Sequence, residues 1–161
     1  MVTNTQLVEI RHIPGGATLD DAHAVRREVF IEEQGVSETE EMDGRDADAR
    51  HVVAYISRSG TDSDTPTDPV GTARLRIPEP RLAKPERVAV RQAYRGEGIG
   101  QQLMRAIEDV ARQEGCTRAR LHAQTAVEEF YRNLGYETTS DVFEEAGIPH
   151  VKMEKDLTRR S

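Results

Sequence analysis

The sequence predicts an α/β (α+β) domain, a single mixed sheet with helices on its faces. Three observations carry that prediction. The chain has 161 residues, which fits one domain. Apolar residues make up 36% of it and charged residues 32%, enough for one core. Its periodicities run strands first, then strand–helix–strand–helix–strand, with no internal repeat, which is the order of a layered mixed fold.

Leu7 to His12 alternate weakly and read as a first strand, ended by Pro14, Gly15 and Gly16. A helix starts near Thr18, with Asp20 and Asp21 in its first turn and Ala22, Val25 and Val29 on one face beside Phe30. Residues 37–48 (SETEEMDGRDAD) are acidic and nearly free of apolar side chains, so they read as a solvated loop or short irregular helix. Asp43, Asp46 and Asp48 miss the spacing of a calcium loop. His51–Arg58 and Val70–Ile77 read as strands, paired antiparallel across a mobile connection near 59–69. Pro78, Pro80 and Pro85 punctuate the next stretch before a short strand, Arg87–Arg91. Ile99, Leu103, Ile107 and Val110, with Met104 and Ala111, form a helical stripe that stops at Gly115. Arg118–Gln124 reads as a strand. Thr125 to Glu128 matches a capping box, and Val127, Phe130, Tyr131 and Leu134 follow at helical spacing up to Gly135. Residues 136–139 and 150–154 are candidate final strands.

The charge balance is 29 acidic to 22 basic residues, a net −7. Repulsion from phosphates speaks against nucleic acid and anionic membranes as partners. No apolar run approaches the ~18 residues of a membrane-spanning helix, and Met1–Arg11 lacks the pattern of a secretory signal. The expectation is a soluble cytoplasmic protein. Of the basic residues, 19 are Arg and three are Lys; high-salt adaptation and a GC-rich genome both account for that. Cys116 is the single cysteine. It follows a helix-stopping glycine without a basic neighbour, so it reads as an inert thiol. The five histidines are scattered, with no metal-ligand spacing, and no metal is expected.

The segment richest in chemical information is Val88-Ala89-Val90-Arg91-Gln92-Ala93-Tyr94-Arg95-Gly96-Glu97-Gly98-Ile99-Gly100. A strand enters a glycine-rich turn that opens a long amphipathic helix, the arrangement that holds phosphate on backbone amides. Gln101 breaks the dinucleotide fingerprint, and the triphosphate loop's G-K-[ST] is absent. The spacing Arg95-x-x-Gly98-x-Gly100 resembles the acetyl-CoA signature of the GCN5-related N-acetyltransferases (GNAT). Downstream, Ala126-Val127-Glu128-Glu129-Phe130-Tyr131-Arg132-Asn133-Leu134-Gly135-Tyr136 resembles a second element of that superfamily. Further stretches, among them Arg26–Phe30, Gly71–Arg76, Leu121–Gln124 and Phe143–His150, are similar to its ElaA-like branch.

The resemblance implies a GNAT fold: a mixed, mostly antiparallel twisted sheet of six to seven strands with about four helices, one domain over residues 1–161. It implies an enzyme that moves the acetyl group of acetyl-CoA directly to a primary amine in a ternary complex. CoA is the product, and no metal takes part. The alternative is a non-catalytic acyl-CoA-binding sensor or interaction module on the same fold. The pyrophosphate falls on amides of Arg95, Gly96, Glu97, Gly98, Ile99 and Gly100, and the pantetheine arm along Val88, Ala89 and Val90. Gln124 and Phe130 complete the cofactor set. Val88 and Val90 read equally as strand core.

Tyr131 is the candidate general acid, with core packing as its other reading. For the base, Glu86 shares a face with Val88 by strand parity, and His150 is the rival. His122 is a third possibility, or a buried structural residue. Glu144 is placed to orient His150 or to bind the acceptor's ammonium. Gln34, Arg74 and His122 are candidate acceptor contacts; Arg74 and Arg76 suit an acidic substrate group or surface carboxylates. The acceptor is a small-molecule or peptide amine, and both a monomer and a homodimer fit.

Overall fold

Residues 52–56 form a continuous apolar run, and the computed structural model shows why: this strand is buried on both faces. The structure describes residues 8–14, 17–57 and 66–158. In chain order the elements are β1 (Val8–Ile13), α1 (Asp20–Arg26), a π-helical turn (Arg27–Glu33), α2 (Glu38–Glu41), β2 (Arg50–Ile56), β3 (Asp68–Glu79), β4 (Leu82–Val90), α3 (Ile99–Gln113), β5 (Arg118–Gln124), α4 (Glu128–Asn133), β6 (Glu137–Thr138), β7 (Phe143–Glu145) and β8 (Ile148–Asp156). The sheet order is β1-β2-β3-β4-β5-β8-β6, with β7 also on β8. β4 and β5 are parallel and the other pairs antiparallel. The sheet thus has eight strands rather than six to seven: β6 falls within the expected 136–139, and the added strand is the three-residue β7, too short for an alternation to register. Leu7, Gly15, Gly16 and positions 59–65 of the expected mobile connection lie outside the described residues. No helix among the described residues is long and apolar enough to cross a membrane.

One face of the sheet packs on α3. Ile99, Leu103, Met104 and Ile107 are at most 2% exposed, against Val52, Ala54, Leu75, Leu121 and Met153. The other face of β2 packs on α1 through Val53, Tyr55 and Ala22. Gly71 lets α3 approach β3 closely: a Cβ there would stand 2.9 Å from Leu103 Cδ1.

Several expectations are corrected. The acidic stretch 37–48 contains the expected short helix, Glu38–Glu41, but is not wholly solvated. Three of its carboxylates, Glu41, Asp43 and Asp46, turn inward as partners for arginines of α1, β3 and β4. Arg26, fully buried, binds Glu41 and Asp46, each at 2.8 Å. Arg74, also fully buried, holds Asp43 at 2.8 Å, Asp46 at 3.1 Å and Glu86. Arg87 pairs with Glu41 at 2.7 Å. A buried guanidinium requires such partners. The capping box at Thr125 is not formed. Residues 125–127 make a 3-10 turn and α4 starts at Glu128 without a side-chain cap, while Glu128 binds Arg132 instead. β4 begins five residues before the expected strand and runs through Pro85, which is tolerated where one flank has no partner strand.

Candidate active site

The site is built around a gap in the sheet. β4 and β5 pair only at Leu82/Arg118 and Ala83/Ala119, and from Lys84 onward no ladder joins them. The divergence coincides with a bulge in β4. The register with β3 runs Thr72/Ala89 and then Arg74/Glu86, so β4 holds one extra residue, and Arg87 takes φ +53. Arg87 and Val88 have no register partner on either side. The bulge also overturns the parity argument. Glu86 lies opposite Arg74, on the α1 face, whereas Val88 and Val90 pack with the α3-side core.

At the mouth of the gap stands the glycine turn. Gly96 and Gly98 both have φ +83, and a Cβ at either would meet nothing within 4 Å. Gly98 is the residue before α3, which has no side-chain cap, so the first-turn amides of the helix open onto the turn. Glu97 is exposed and offers only its backbone. Ile99 is buried in the core, and Ala89 is buried against Val25 and Val29, so each also presents only main chain. Phe130 closes the turn from behind, its Cζ 3.1 Å from where a Gly100 Cβ would stand. Arg95 is held at the mouth by Val90 O, at 2.8 Å from Nε, and by both oxygens of Glu33 at 2.7 Å. Those bonds to Arg95 hold the Glu33 carboxyl below its usual range despite partial burial. These residues fit a pyrophosphate-bearing ligand through open main chain and a helix start, with the Arg95 charge already matched by Glu33.

Tyr131 lies on the α3 side, 8% exposed, edge-on to Phe130 and Tyr136. Burial raises its phenol well above the usual value, so it stays protonated. Among the described residues no partner holds its hydroxyl.

On the opposite face, β5 presents His122 and Gln124, and β8 places His150 across from Gln124. Gln34, just after the π-helical turn, reaches over and accepts from Gln124 Nε2 at 2.9 Å. His150 Nδ1 is 2.7 Å from Ile148 O. A carbonyl only accepts, so Nδ1 carries the hydrogen and Nε2 the free lone pair. Glu145 lies beside both imidazoles: its Oε1 bonds His122 Nδ1 at 2.8 Å, while its Oε2 stands 3.7 Å from His150 Nε2, beyond hydrogen-bond distance. The bond from His122 lowers the Glu145 pKa against partial burial, with help from His150 and Lys84. Phe143 stacks on His150 and meets His122 edge-on.

The structure therefore gathers Gln34, His122, Gln124 and His150, and separates out two other candidates. Arg74 is wholly enclosed by carboxylates and cannot reach an acceptor. Glu144 is exposed and faces away from His150; its neighbour Glu145 is the carboxylate that stands beside the imidazoles. The signal for Glu145 was parity: Phe143 lies opposite His150, so Glu145, two residues on, shares that face. Glu86 is bonded through both oxygens, to Arg74 and to Arg76 Nε at 2.6 Å. Burial pushes its pKa up, but these guanidiniums outweigh burial and hold it low. Cys116 is buried, which raises its thiol. Among the described residues no His, Cys, Asp and Glu stand grouped for a metal ion.

A splayed β4–β5 pair followed by a glycine turn and a long helix defines the GNAT class of fold. Residues 21–157 match the family model described as Acetyltransferase (GNAT) domain, and the chain belongs to that family, in its ElaA-like branch. It is 38% identical over 155 residues to YyaT of Bacillus subtilis, covering 94% of this chain and 98% of that one. It is 31% identical to Escherichia coli ElaA over 144 residues, 83% and 84% of the two chains. The crystal structure of E. coli ElaA superposes with a TM-score of 0.75 at 26% identity, over 93% of this chain and all of that one. An acyl-CoA N-acyltransferase from Pseudomonas aeruginosa superposes at 0.73 with 28% identity, over 92% and 99%.

Proposed function

We propose that this chain transfers the acetyl group of acetyl-CoA directly to a primary amine, within a ternary complex and without a covalent enzyme intermediate. The observation that carries this reading is the β4–β5 gap. It has a protonated, buried phenol on one side and a pair of imidazoles with a carboxylate beside them on the other. Acetyl-CoA supplies the thioester that the amine attacks. Main-chain amides from Arg95 to Gly100 bind the pyrophosphate, with the helix start adding its partial positive charge. The unpaired main chain of Val88–Val90 orients the arm along the gap. His150, held through Nδ1 by Ile148 O, accepts the ammonium proton at Nε2, and Glu145 holds His122 and offers the ammonium its charge. Tyr131 Oη gives its proton to the departing sulfur. Glu86 is assigned a positioning role: its two guanidinium partners hold it ionised and make it a poor proton acceptor, and it ties β3 to β4 beside the bulge. Buried Cys116 offers no activated nucleophile.

The test is calorimetric titration with acetyl-CoA, CoA and inorganic phosphate, followed by thiol release with amine acceptors. The reading expects binding of both CoA compounds and not of phosphate. It also expects a rate about a hundredfold lower in Tyr131→Phe with acetyl-CoA affinity retained. Binding matched by phosphate would reduce the site to an anion-binding turn. CoA binding with no turnover for any amine would favour the sensor alternative.

A further inference from the structure

The acceptor face carries one more charged group, and the reaction above leaves it unused. Lys84 lies opposite Arg76 in the β3–β4 register, so its side chain shares the face of Glu86, two residues on. It is 24% exposed, and among the described residues no hydrogen bond holds its ammonium. Glu86 Oε1 stands 3.9 Å from it, but that oxygen already accepts from Arg76 Nε at 2.6 Å, and the other from Arg74. Arg26, Arg45, Arg74, Arg76, Lys84 and Arg87 face Glu41, Asp43, Asp46, Glu86 and the nearby Glu145. Among the described residues six cations meet five carboxylates, so the cluster keeps one positive charge in excess, on a chain whose net charge is −7. Burial lowers the Lys84 pKa, opposed by Glu86 and Glu145 and reinforced by Arg76 and Arg45. A partly desolvated ammonium with unfilled donors is stabilised most by an anion that brings its own charge to the site.

Lys84 on β4 and Glu145 on β7 feel each other's charge, and with His150 on β8 they flank the same gap on the same face. An acceptor that gives its amine to His150 presents its remainder toward Lys84. We propose that the acceptor is a small amine that also bears a carboxylate, and that Lys84 is the residue that binds the carboxylate and sets this specificity. The inference rests on the acyltransferase reading. A second ammonium, as in a polyamine, would instead meet the excess charge of Lys84 and Arg76 and be repelled.

The experiment compares kcat/KM for acetyl transfer to matched pairs at equal free-amine concentration: β-alanine and ethylamine, leucine and isopentylamine, phenylalanine and phenethylamine. The expected result is a preference of at least about tenfold for the carboxylate-bearing member of one or more pairs, carried in KM and weakened by salt. Lys84→Met collapses the preference to within about threefold, and Lys84→Arg keeps most of it, as a charge-assisted contact requires. Two results overturn the inference while leaving the transferase reading intact: equal or better transfer to the decarboxylated member of every pair, or an unchanged preference in Lys84→Met. Failure of wild-type protein to bind acetyl-CoA in the calorimeter overturns both readings. Acetyl-CoA affinity of each variant, measured the same way, separates a lost acceptor contact from a lost fold.

Discussion

Arg74→Met removes the centre of the buried ion cluster while nearly keeping its volume. In the native protein the guanidinium is fully enclosed and holds Asp43 through two bonds of 2.8 and 2.9 Å, Asp46 at 3.1 Å, and Glu86. Without it, Asp46 retains Arg26 at 2.8 Å and Glu86 retains Arg76 at 2.6 Å. Asp43 is left with Arg87 at 3.4 Å and Arg45 at 3.9 Å. Removing one member of a buried ion pair costs about 3–5 kcal/mol, which for a domain of this size lowers the melting temperature by roughly 6–20 °C. The acid response supplies a second check. Bonds to Arg74 hold Asp43 far below the usual carboxylate range. Burial pushes Asp46 up, but Arg26, His23 and Arg74 outweigh it and hold it low too. A carboxylate depressed in the folded state contributes stability above its unfolded pKa, about 4, and loses it as pH falls toward the folded value. Acid thus removes from the wild type what the substitution has already removed. Calorimetry at pH 7 and at progressively lower pH should show the wild-type advantage shrinking from about pH 5 downward. An advantage below about 2 °C at pH 7, or one that does not change with pH, would refute the assignment of these charges as a coupled internal network.

Two further predictions concern the frame of the site. Gly71→Ala puts a Cβ 2.9 Å from Leu103 Cδ1 and 3.2 Å from Ala89 O. It should lower unfolding stability in urea by about 1–3 kcal/mol as α3 is pushed off β3, and an unchanged midpoint would show that the contact yields freely. Ala146 holds φ +52 in the two-residue turn between β7 and β8. Ala146→Asn, a residue that tolerates this conformation, should therefore stabilise by up to about 1 kcal/mol in the same assay, and a loss of stability would mean that the turn is not under strain.

The strand, glycine turn and helix proposed to meet the cofactor were legible in the sequence because they depend on local pattern. The stripe Ile99, Leu103, Ile107 and Val110 is buried as its spacing requires. Gly96 and Gly98 sit at φ values that other residues rarely adopt, directly before a helix. Neither fact needs knowledge of a distant partner. The acidic stretch was misread for the opposite reason. Its composition is that of a solvated loop, and its true environment is set by Arg26, Arg74 and Arg87, which reach it from three other elements. A charged segment beside unmatched arginines carries no local mark of burial.

The acceptor half was less legible because it depends on which way side chains face, and two single-residue features decide that. The extra residue at Arg87 puts Glu86 on the acceptor face and Val88 on the cofactor face, although strict alternation would have them together. The turn at Ala146 and Gly147 sets Phe143 opposite His150, which selects Glu145 rather than Glu144 for the imidazoles; a slip of one residue would exchange them. In the acetyltransfer reading proposed above, the cofactor is held chiefly by main chain, so its binding tolerates ignorance of facing. The side chains proposed to meet the acceptor, Lys84, His122, Glu145 and His150, share a face only after the bulge and the turn have formed. Motifs therefore reach the proposed cofactor turn, while the facing of the proposed acceptor residues is written in the register of β4 and of the β7–β8 hairpin.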